Sequence, residues 1–315
     1  MTRVAVLKGG RSLERQVSLA SGARVEDALE RLGHEVVSID VGADLVARLR
    51  ECDAAVAFIA MHGRGGEDGT VQELLEVLEI PYTGSGVHAC MRCFDKVLTK
   101  YALREGGLPT PDWVSLSEIG FQDLGAADVL GGIAERLRFP LVVKPVSQGS
   151  SLGVKHALTA AVLPAALVAA LSYGARVLLE HHVEGRELAV SLLAREGGDA
   201  ADVEVLPIVE ALPRGAEYDF AARYEIGQTD FVCPAELEEE VAERVREIAL
   251  SAWRLLGARG FARVDMILGD DGPTVLEINP IPGLTETSLL PQAADAAGVS
   301  FDEVVERVLA EALAR

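Results

Sequence analysis

The first 80 residues of the chain alternate between short apolar runs and amphipathic runs. Runs of strand length fall at residues 3–10, 34–41 and 53–63, and runs with helical periodicity fall at 16–33 and 68–80. This alternation predicts an open parallel sheet covered by helices, with ligand-binding groups at the carboxyl ends of its strands. Glu14 and His62 each follow such an end, and both side chains are therefore candidates for ligand contact.

The character of the chain changes after residue 93. A helix ends at Gly106 and Gly107, and a connection bracketed by prolines follows. Residues 139–154 predict a strand, a glycine-serine turn and a second strand, and residues 176–194 predict two strands around Gly185. The second part of the chain therefore predicts antiparallel sheet, in a different type of domain from the first.

Polar residues interrupt the apolar stretch "ARVDMILGDDGPTVLEINP". Strand side chains alternate between faces, so Arg263 and Asp265 share one face. Glu277 and Asn279 likewise share a face, and the Gly-Asp-Asp-Gly turn allows an antiparallel hairpin. If the register joins the polar faces, two carboxylates and an amide oxygen converge beside a guanidinium, which suits Mg²⁺ with phosphate ligands. A solvated face with an Arg–Asp pair is the alternative, and this stretch alone leaves both open.

Composition limits the partners of this 315-residue chain. Its formal net charge of −20 disfavours a nucleic-acid or anionic-membrane surface, because both partners are themselves negative. The alanine-rich run at 157–175 contains Pro164 and predicts a packed helix rather than a membrane span. The first apolar run is too short for a signal peptide. We therefore expect a cytoplasmic protein that binds small molecules.

The cysteines do not suggest a disulfide framework. Only four are present, and we expect them to be reduced thiols. Cys90 and Cys93 form a C-x-x-C pair, but no second pair follows at zinc-finger spacing. We interpret both as thiols that pack within a helix.

Two short motifs occur in unsuitable contexts. "GSGVHA" at 84–89 fits a dinucleotide-binding pattern but does not lie in the first strand–helix turn of its domain. "GSSLG" at 149–153 fits the nucleophile elbow of serine hydrolases, but the later histidines all lie close to it in the chain. The same loop suits a phosphate cover, because small residues expose backbone amides and Lys144 on the preceding apolar strand adds a cation.

Several segments, taken together, resemble the D-alanine–D-alanine ligases of the ATP-grasp superfamily, nearly over the full length and in the right order. They are "GGRSLERQVSLASG", "MHGRGGEDGT", "PYTGSGV", "VKPVSQGSSLGV", "ARVDM" and "LEINPIPGLTETSLLP". The resemblance implies an N-terminal open parallel α/β domain, residues 1–93, which binds substrate. Two α+β domains that clamp ATP would follow, a central one at 94–183 and a C-terminal one at 184–315 with the metal site and a mobile loop.

The resemblance also implies a role for each motif residue. Asp265, Glu277 and Asn279 would hold two Mg²⁺ ions, for which Mn²⁺ can substitute. Contacts with ATP would come from Lys96, Lys144, Ser150, Ser151, Glu180, Val183 and Glu187, with Glu180 and Val183 at the adenine and Glu187 at the ribose. Arg263 would contact the transferred phosphoryl group and, with the backbone N–H of Gly283, the tetrahedral oxyanion.

The amino-acid substrates are assigned in the same way. Glu14 would bind the ammonium of the first D-alanine, and His62 would lie beside it. The second D-alanine would contact Arg223, Ser288 and Leu289. Tyr224, in the loop that closes over the site, would hydrogen-bond through Ser150 to Glu14. Arg223 stands where the family normally has lysine, which keeps the charge but changes its shape.

The resemblance implies a cytoplasmic, ATP-dependent ligase that makes D-alanyl-D-alanine for peptidoglycan, with a homodimer expected by analogy. The nearest alternative is a ligase that makes a D-alanyl-D-lactate ester or another mixed product. A non-catalytic nucleotide-binding regulator could lose metal ligands, whereas all three are present here. A serine hydrolase would work without ATP.

Overall fold

The computed structural model describes residues 1–125, 128, 130–195, 202–214 and 228–315. Its first sheet has the parallel order β2-β1-β3, as the alternating pattern predicts. The four central side chains of β1 and all four of β3 are buried, which explains their continuous apolar runs. The elements of this part are β1 (Arg3–Lys8), α1 (Arg15–Arg31), β2 (Glu35–Asp40), α2 (Leu45–Cys52), β3 (Val56–Ile59), α3 (Thr70–Val77) and α4 (Val87–Phe94).

The second sheet has the antiparallel order β4-β7-β5-β6. The alanine-rich run forms a short helix, α8, that packs against this sheet through Leu163 and Leu167, so the prediction of a packed helix is confirmed. Within the described residues, no helix is long and apolar enough to span a membrane. The elements are α5 (Lys96–Glu105), β4 (Trp113–Ser117), α6 (Glu118–Gln122), α7 (Leu130–Leu137), β5 (Leu141–Pro145), β6 (Lys155–Ala157), α8 (Leu163–Leu171) and β7 (Arg176–His181).

The third sheet runs β11-β10-β8-β12-β13, with β9 also paired to β8, and all its pairs are antiparallel. Its α9 helix buries Val245, Ile248 and Trp253 in a core shared with β8, β12 and β13. The elements are β8 (Arg186–Ala194), β9 (Val203–Val205), β10 (Val209–Pro213), β11 (Thr229–Val232), α9 (Glu239–Leu256), β12 (Phe261–Gly269), β13 (Gly272–Asn279), α10 (Leu289–Ala296) and α11 (Phe301–Leu313).

Two connections could not be read from local patterns. The strands around Gly185, β7 and β8, belong to different sheets, so the chain passes from the second sheet to the third at residues 182–185. The last helix, α11, returns to the first sheet and packs against α1, where Arg31 forms two hydrogen bonds with Asp302. The C-terminal end therefore completes the core of the N-terminal part.

The two cysteines of the C-x-x-C pair are buried on α4 as free thiols, as expected. Burial raises the pKa of Cys93 to about 12 and that of Cys90 well above its ordinary value. Both groups are therefore neutral thiols near pH 7.

Candidate active site

A cleft of about 660 Å³ is lined by residues of the second and third sheets. The segment that passes between these sheets, residues 182–185, also lines it. The cleft brings together most of the predicted nucleotide and metal residues, namely Lys96, Lys144, Ser151, Glu180, Val183, Glu187, Asp265 and Glu277. Its size is suitable for a small ligand such as a nucleotide.

The β12–β13 hairpin forms with the register that joins its polar faces. Arg263 pairs with Asn279, and Asp265 pairs with Glu277. Arg263 and Asp265 are only 7% and 8% exposed, so this is not a solvated face. They do form an ion pair, with Nε–Oδ1 at 2.6 Å and Nη2–Oδ2 at 2.8 Å. The two carboxylates and the amide oxygen therefore converge as the sequence pattern allows.

Each carboxylate of this cluster already faces a cation of the protein. Lys96 Nζ lies 3.0 Å from Glu277 Oε2 and donates a hydrogen bond to the carbonyl of Gln148 at 2.6 Å. Lys96 begins α5 directly after Asp95, whose carboxylate caps the helix. The formal charges of Arg263, Asp265, Glu277 and Lys96 cancel. A dication is therefore accommodated here only with an anionic ligand.

The oxygen donors of the cluster fit magnesium chemistry. Asp265, Glu277 and Asn279 supply hard oxygen atoms, and Mg²⁺ is commonly bound by one or two carboxylates together with substrate phosphates. Within the described ranges, no group of three or more histidine, cysteine or acidic side chains has a metal-binding arrangement. These donors would therefore hold a metal ion only together with a ligand that supplies further oxygen atoms.

A buried group of three charges includes two residues that line the cleft, Lys144 and Glu180. Glu180 forms ion pairs with Lys144, through Oε1, and with Lys100, whose Nζ lies 2.8 Å from Oε2. Burial alone would raise the pKa of Glu180, but the two ammonium groups outweigh it and lower that pKa. Burial lowers the pKa of Lys100 to about 8, against the attraction of Glu180. Lys144 and Glu180 were predicted here, whereas Lys100 was missed, although it lies one helical turn after Lys96.

A smaller cavity of about 60 Å³ adjoins the same hairpin. It collects the predicted amino-acid residues of the described chain together with hairpin residues, namely Glu14, His62, Ser150, Arg263, Glu277, Asn279, Gly283, Ser288 and Leu289. Glu277 and Leu289 line both this cavity and the larger cleft. The two spaces therefore meet at the hairpin.

Glu14 has an unusual environment, just before α1. Ser150 donates a hydrogen bond to its Oε1 atom, whereas Oε2 is buried and accepts no hydrogen bond within the described structure. Gly63 and Gly149 pack so closely that an added Cβ would lie 2.4 Å and 2.8 Å from Oε2. Burial, followed by repulsion from Glu67, raises the pKa of Glu14 to about 7. A buried acceptor of this kind fits a ligand that brings a positively charged donor.

His62 is held by three groups. Its Nε2 atom lies 2.9 Å from Ser21 Oγ, and its Nδ1 atom lies 3.2 Å from the carbonyl oxygen of Ile281 and 3.5 Å from Glu67 Oε1. Sequence reasoning named His62 but missed Ser21 and Glu67. Glu67 lies within "MHGRGGEDGT", so the motif itself could have indicated it.

Two predicted site residues belong to the loop that the resemblance places over the site. Arg223 and Tyr224 lie outside the described residues. Ser288 precedes α10 and accepts a hydrogen bond from the backbone N–H of Thr285 at 3.0 Å.

The "GSSLG" loop joins strands β5 and β6 rather than a strand to a helix, so the nucleophile-elbow context of a serine hydrolase is absent there.

The fold has one parallel sheet and two antiparallel sheets, and the two antiparallel sheets line a common cleft that contains an oxygen-rich hairpin. This combination defines an ATP-grasp enzyme. Family models match two parts of the chain: residues 42–85 match "D-ala D-ala ligase N-terminus" and residues 102–310 match "D-ala D-ala ligase C-terminus". The chain belongs to the D-alanine–D-alanine ligase family.

Similar proteins agree with this membership. D-alanine–D-alanine ligases of Desulforudis audaxviator and Syntrophotalea carbinolica are 46% and 43% identical, over 98% and 99% of this chain and 97% of each relative. The crystal structure of the ligase from Bacillus anthracis has a TM-score of 0.84 at 34% identity. The structure of that ligase complexed with ATP has a TM-score of 0.82 at 33% identity, and each match covers 100% of this chain and 98% of the other. The resemblance inferred from the motifs is confirmed.

Proposed function

We propose that this chain is an ATP-dependent ligase that joins two D-alanines into D-alanyl-D-alanine for peptidoglycan synthesis. The observation that carries the proposal is the meeting of two spaces at one hairpin. A nucleotide-sized cleft with buried cations adjoins a small cavity where Glu14 Oε2 has no hydrogen-bond donor in the described structure. This arrangement suits a reaction in which the phosphate end of ATP meets a small molecule that carries an ammonium group.

The reaction balances in two steps. A carboxylate oxygen of the first D-alanine attacks the γ-phosphorus of ATP, which gives D-alanyl phosphate and ADP. The amine of the second D-alanine loses a proton and attacks the acyl carbon, and the bond to phosphate breaks. The products are the dipeptide, ADP, phosphate and a proton. The phosphate is needed because a free carboxylate is a poor electrophile.

In the larger cleft, the phosphates of ATP would be contacted by Lys96, Lys144, Ser150 and Ser151. Glu180 and Val183 would contact the adenine, and Glu187 the ribose. Asp265, Glu277 and Asn279 would hold two Mg²⁺ ions, with Mn²⁺ as a substitute, and their oxygen donors support this choice. Bound metal would neutralise charge on the phosphates during transfer.

At the amino-acid end, the Glu14 carboxylate would bind the ammonium of the first D-alanine beside His62. Arg263 and the backbone N–H of Gly283 would stabilise the tetrahedral oxyanion. Ser288, Leu289 and Arg223 would hold the second D-alanine, and Tyr224 would reach Glu14 through Ser150. The burial of Glu14, Arg263 and His62 supports a site from which water is excluded.

The organisation proposed with this function has three domains, at residues 1–93, 94–183 and 184–315. The enzyme would work in the cytoplasm, where ATP is present, as a homodimer. Its partners would be the small molecules ATP and D-alanine.

A phosphate-release assay tests the proposal. The chain should release phosphate only when ATP, Mg²⁺ and D-alanine are all present, and mass spectrometry should identify the dipeptide and ADP. Phosphate release with D-alanine plus D-lactate, and an ester as the main product at pH 7, would favour the mixed-product alternative. Release of AMP would refute the acyl-phosphate route.

A further inference from the structure

The buried ammonium of Lys100 has no part in the function proposed above, yet each of its donors faces an oxygen atom of the protein. Its Nζ donates to Thr110 Oγ1 at 2.9 Å and to the carbonyl of Pro111 at 3.2 Å, and it lies 2.8 Å from Glu180 Oε2. An ammonium has three donors, and these three oxygens account for them. The side chain has no exposure to solvent. A charge in such a place requires a reason, because burial of an ammonium group is unfavourable.

The two lysines that contact Glu180 differ in their access to the cleft. Lys144 lines the cleft, whereas Lys100 lies behind Glu180 and does not line it. Only Lys144 can therefore turn toward the phosphates of a bound nucleotide. Lys100 is held by its contacts with Thr110 and Pro111 and stays beside Glu180.

The charges explain why two lysines are present. Glu180 is 2% exposed, and a buried carboxylate without a cation takes up a proton. When Lys144 moves to the phosphates, Lys100 is left as the nearby cation that favours the ionised form. An ionised carboxylate only accepts hydrogen bonds, whereas a protonated one also donates. The 6-amino group of adenine donates, and it forms a stronger hydrogen bond with an ionised carboxylate than with a neutral one.

We propose that Lys100 is a positioning residue that keeps Glu180 ionised, and therefore selective for a 6-amino purine, while Lys144 contacts the nucleotide phosphates. The inference rests on the proposed function in assigning ATP to the cleft, with its adenine at Glu180 and its phosphates at Lys144. Each carboxylate oxygen can accept more than one hydrogen bond, so Glu180 keeps capacity for this contact beside its two lysines. Lys100 thus acts on substrate choice without touching the substrate.

The test compares two nucleotides that differ only at this amino group. Calorimetry measures the binding of ATP and of purine riboside triphosphate, which lacks the 6-amino group, to the wild-type chain and to Lys100→Met. Wild type should prefer ATP by about tenfold, the value of one hydrogen bond to a charged group. Lys100→Met should lose most of that preference through weaker ATP binding, with little change for the analogue. Its KM for D-alanine at saturating ATP should be unchanged.

Controls separate this role from a structural one. Lys8→Met removes a lysine of the first sheet that pairs with Glu26 and does not line the cleft, and it should keep the full preference. Lys100→Gln keeps donors for Thr110 and Pro111 but lacks the charge. It should behave like Lys100→Met, and it decides the question if the methionine variant does not fold.

Equal loss of affinity for both nucleotides, or an unchanged preference for ATP in both variants, would overturn the inference. Equal binding of the two nucleotides to wild type would also overturn it. A wild-type chain that binds ATP with this preference but forms no dipeptide would instead refute the proposed function and leave the role of Lys100 supported.

Discussion

Replacement of Glu14 by glutamine should make the folded chain more stable above pH 7 while it removes the proposed ammonium site. In the folded chain the pKa of Glu14 is raised from 4.5 to about 7, first by burial and then by the nearby charge of Glu67. The folded state therefore holds this proton more tightly than the unfolded state. The stability that the bound proton contributes is complete below pH 4.5 and is lost as the pH rises through 7.

The magnitude follows from these two pKa values. Their difference corresponds to about 3 kcal/mol of unfolding free energy, since one pH unit is worth about 1.36 kcal/mol. Between pH 5 and pH 8, wild type should therefore lose about 2–3 kcal/mol relative to Glu14→Gln. Urea unfolding of both proteins at the two pH values measures this difference. The contributions of groups that titrate alike in both proteins cancel when the two unfolding free energies are subtracted.

The titration of Glu14 should also change the catalytic activity. The ionised carboxylate attracts the substrate ammonium, so kcat/KM for the first D-alanine should fall about tenfold per pH unit below pH 7. Glu14→Gln should have a much higher KM for the first D-alanine without this pH dependence. Glu51→Gln, at an exposed position, is the matched control and should change neither property. If wild type and Glu14→Gln lost equal stability between pH 5 and pH 8, the reasoning from burial would be wrong.

Three further predictions concern the metal and the second substrate. Glu277→Gln should abolish dipeptide formation at ordinary Mg²⁺ while circular dichroism shows an intact fold, because the hairpin loses a carboxylate oxygen; near-normal turnover would contradict the metal assignment. Arg223→Ala should raise KM for the second D-alanine far more than for the first, which initial-rate kinetics separates; equal effects would count against it. Tyr224→His should gain ester synthesis from D-lactate below the histidine pKa, because a protonated imidazole repels the ammonium of D-alanine. Loss of both products at every pH would mean that Tyr224 only packs the loop.

The sequence by itself determined the elements and much of the site. Periodicity predicted the parallel strands β1 and β3 and the hairpin that carries Asp265 and Glu277, because side-chain alternation is a local property of the backbone. The motif residues of the described chain were placed together by resemblance, and the cleft and the small cavity do contain them.

Only the tertiary structure decided which charges meet. The pairing of Asp265 with Glu277 depends on hairpin register, and the contact of Lys100 with Glu180 joins a helix to a strand 80 positions later in the chain. The passage from β7 to β8 between two sheets and the return of α11 to the first sheet are likewise long-range. Burial set the raised pKa of Glu14, and burial is a property of packing that no local pattern contains.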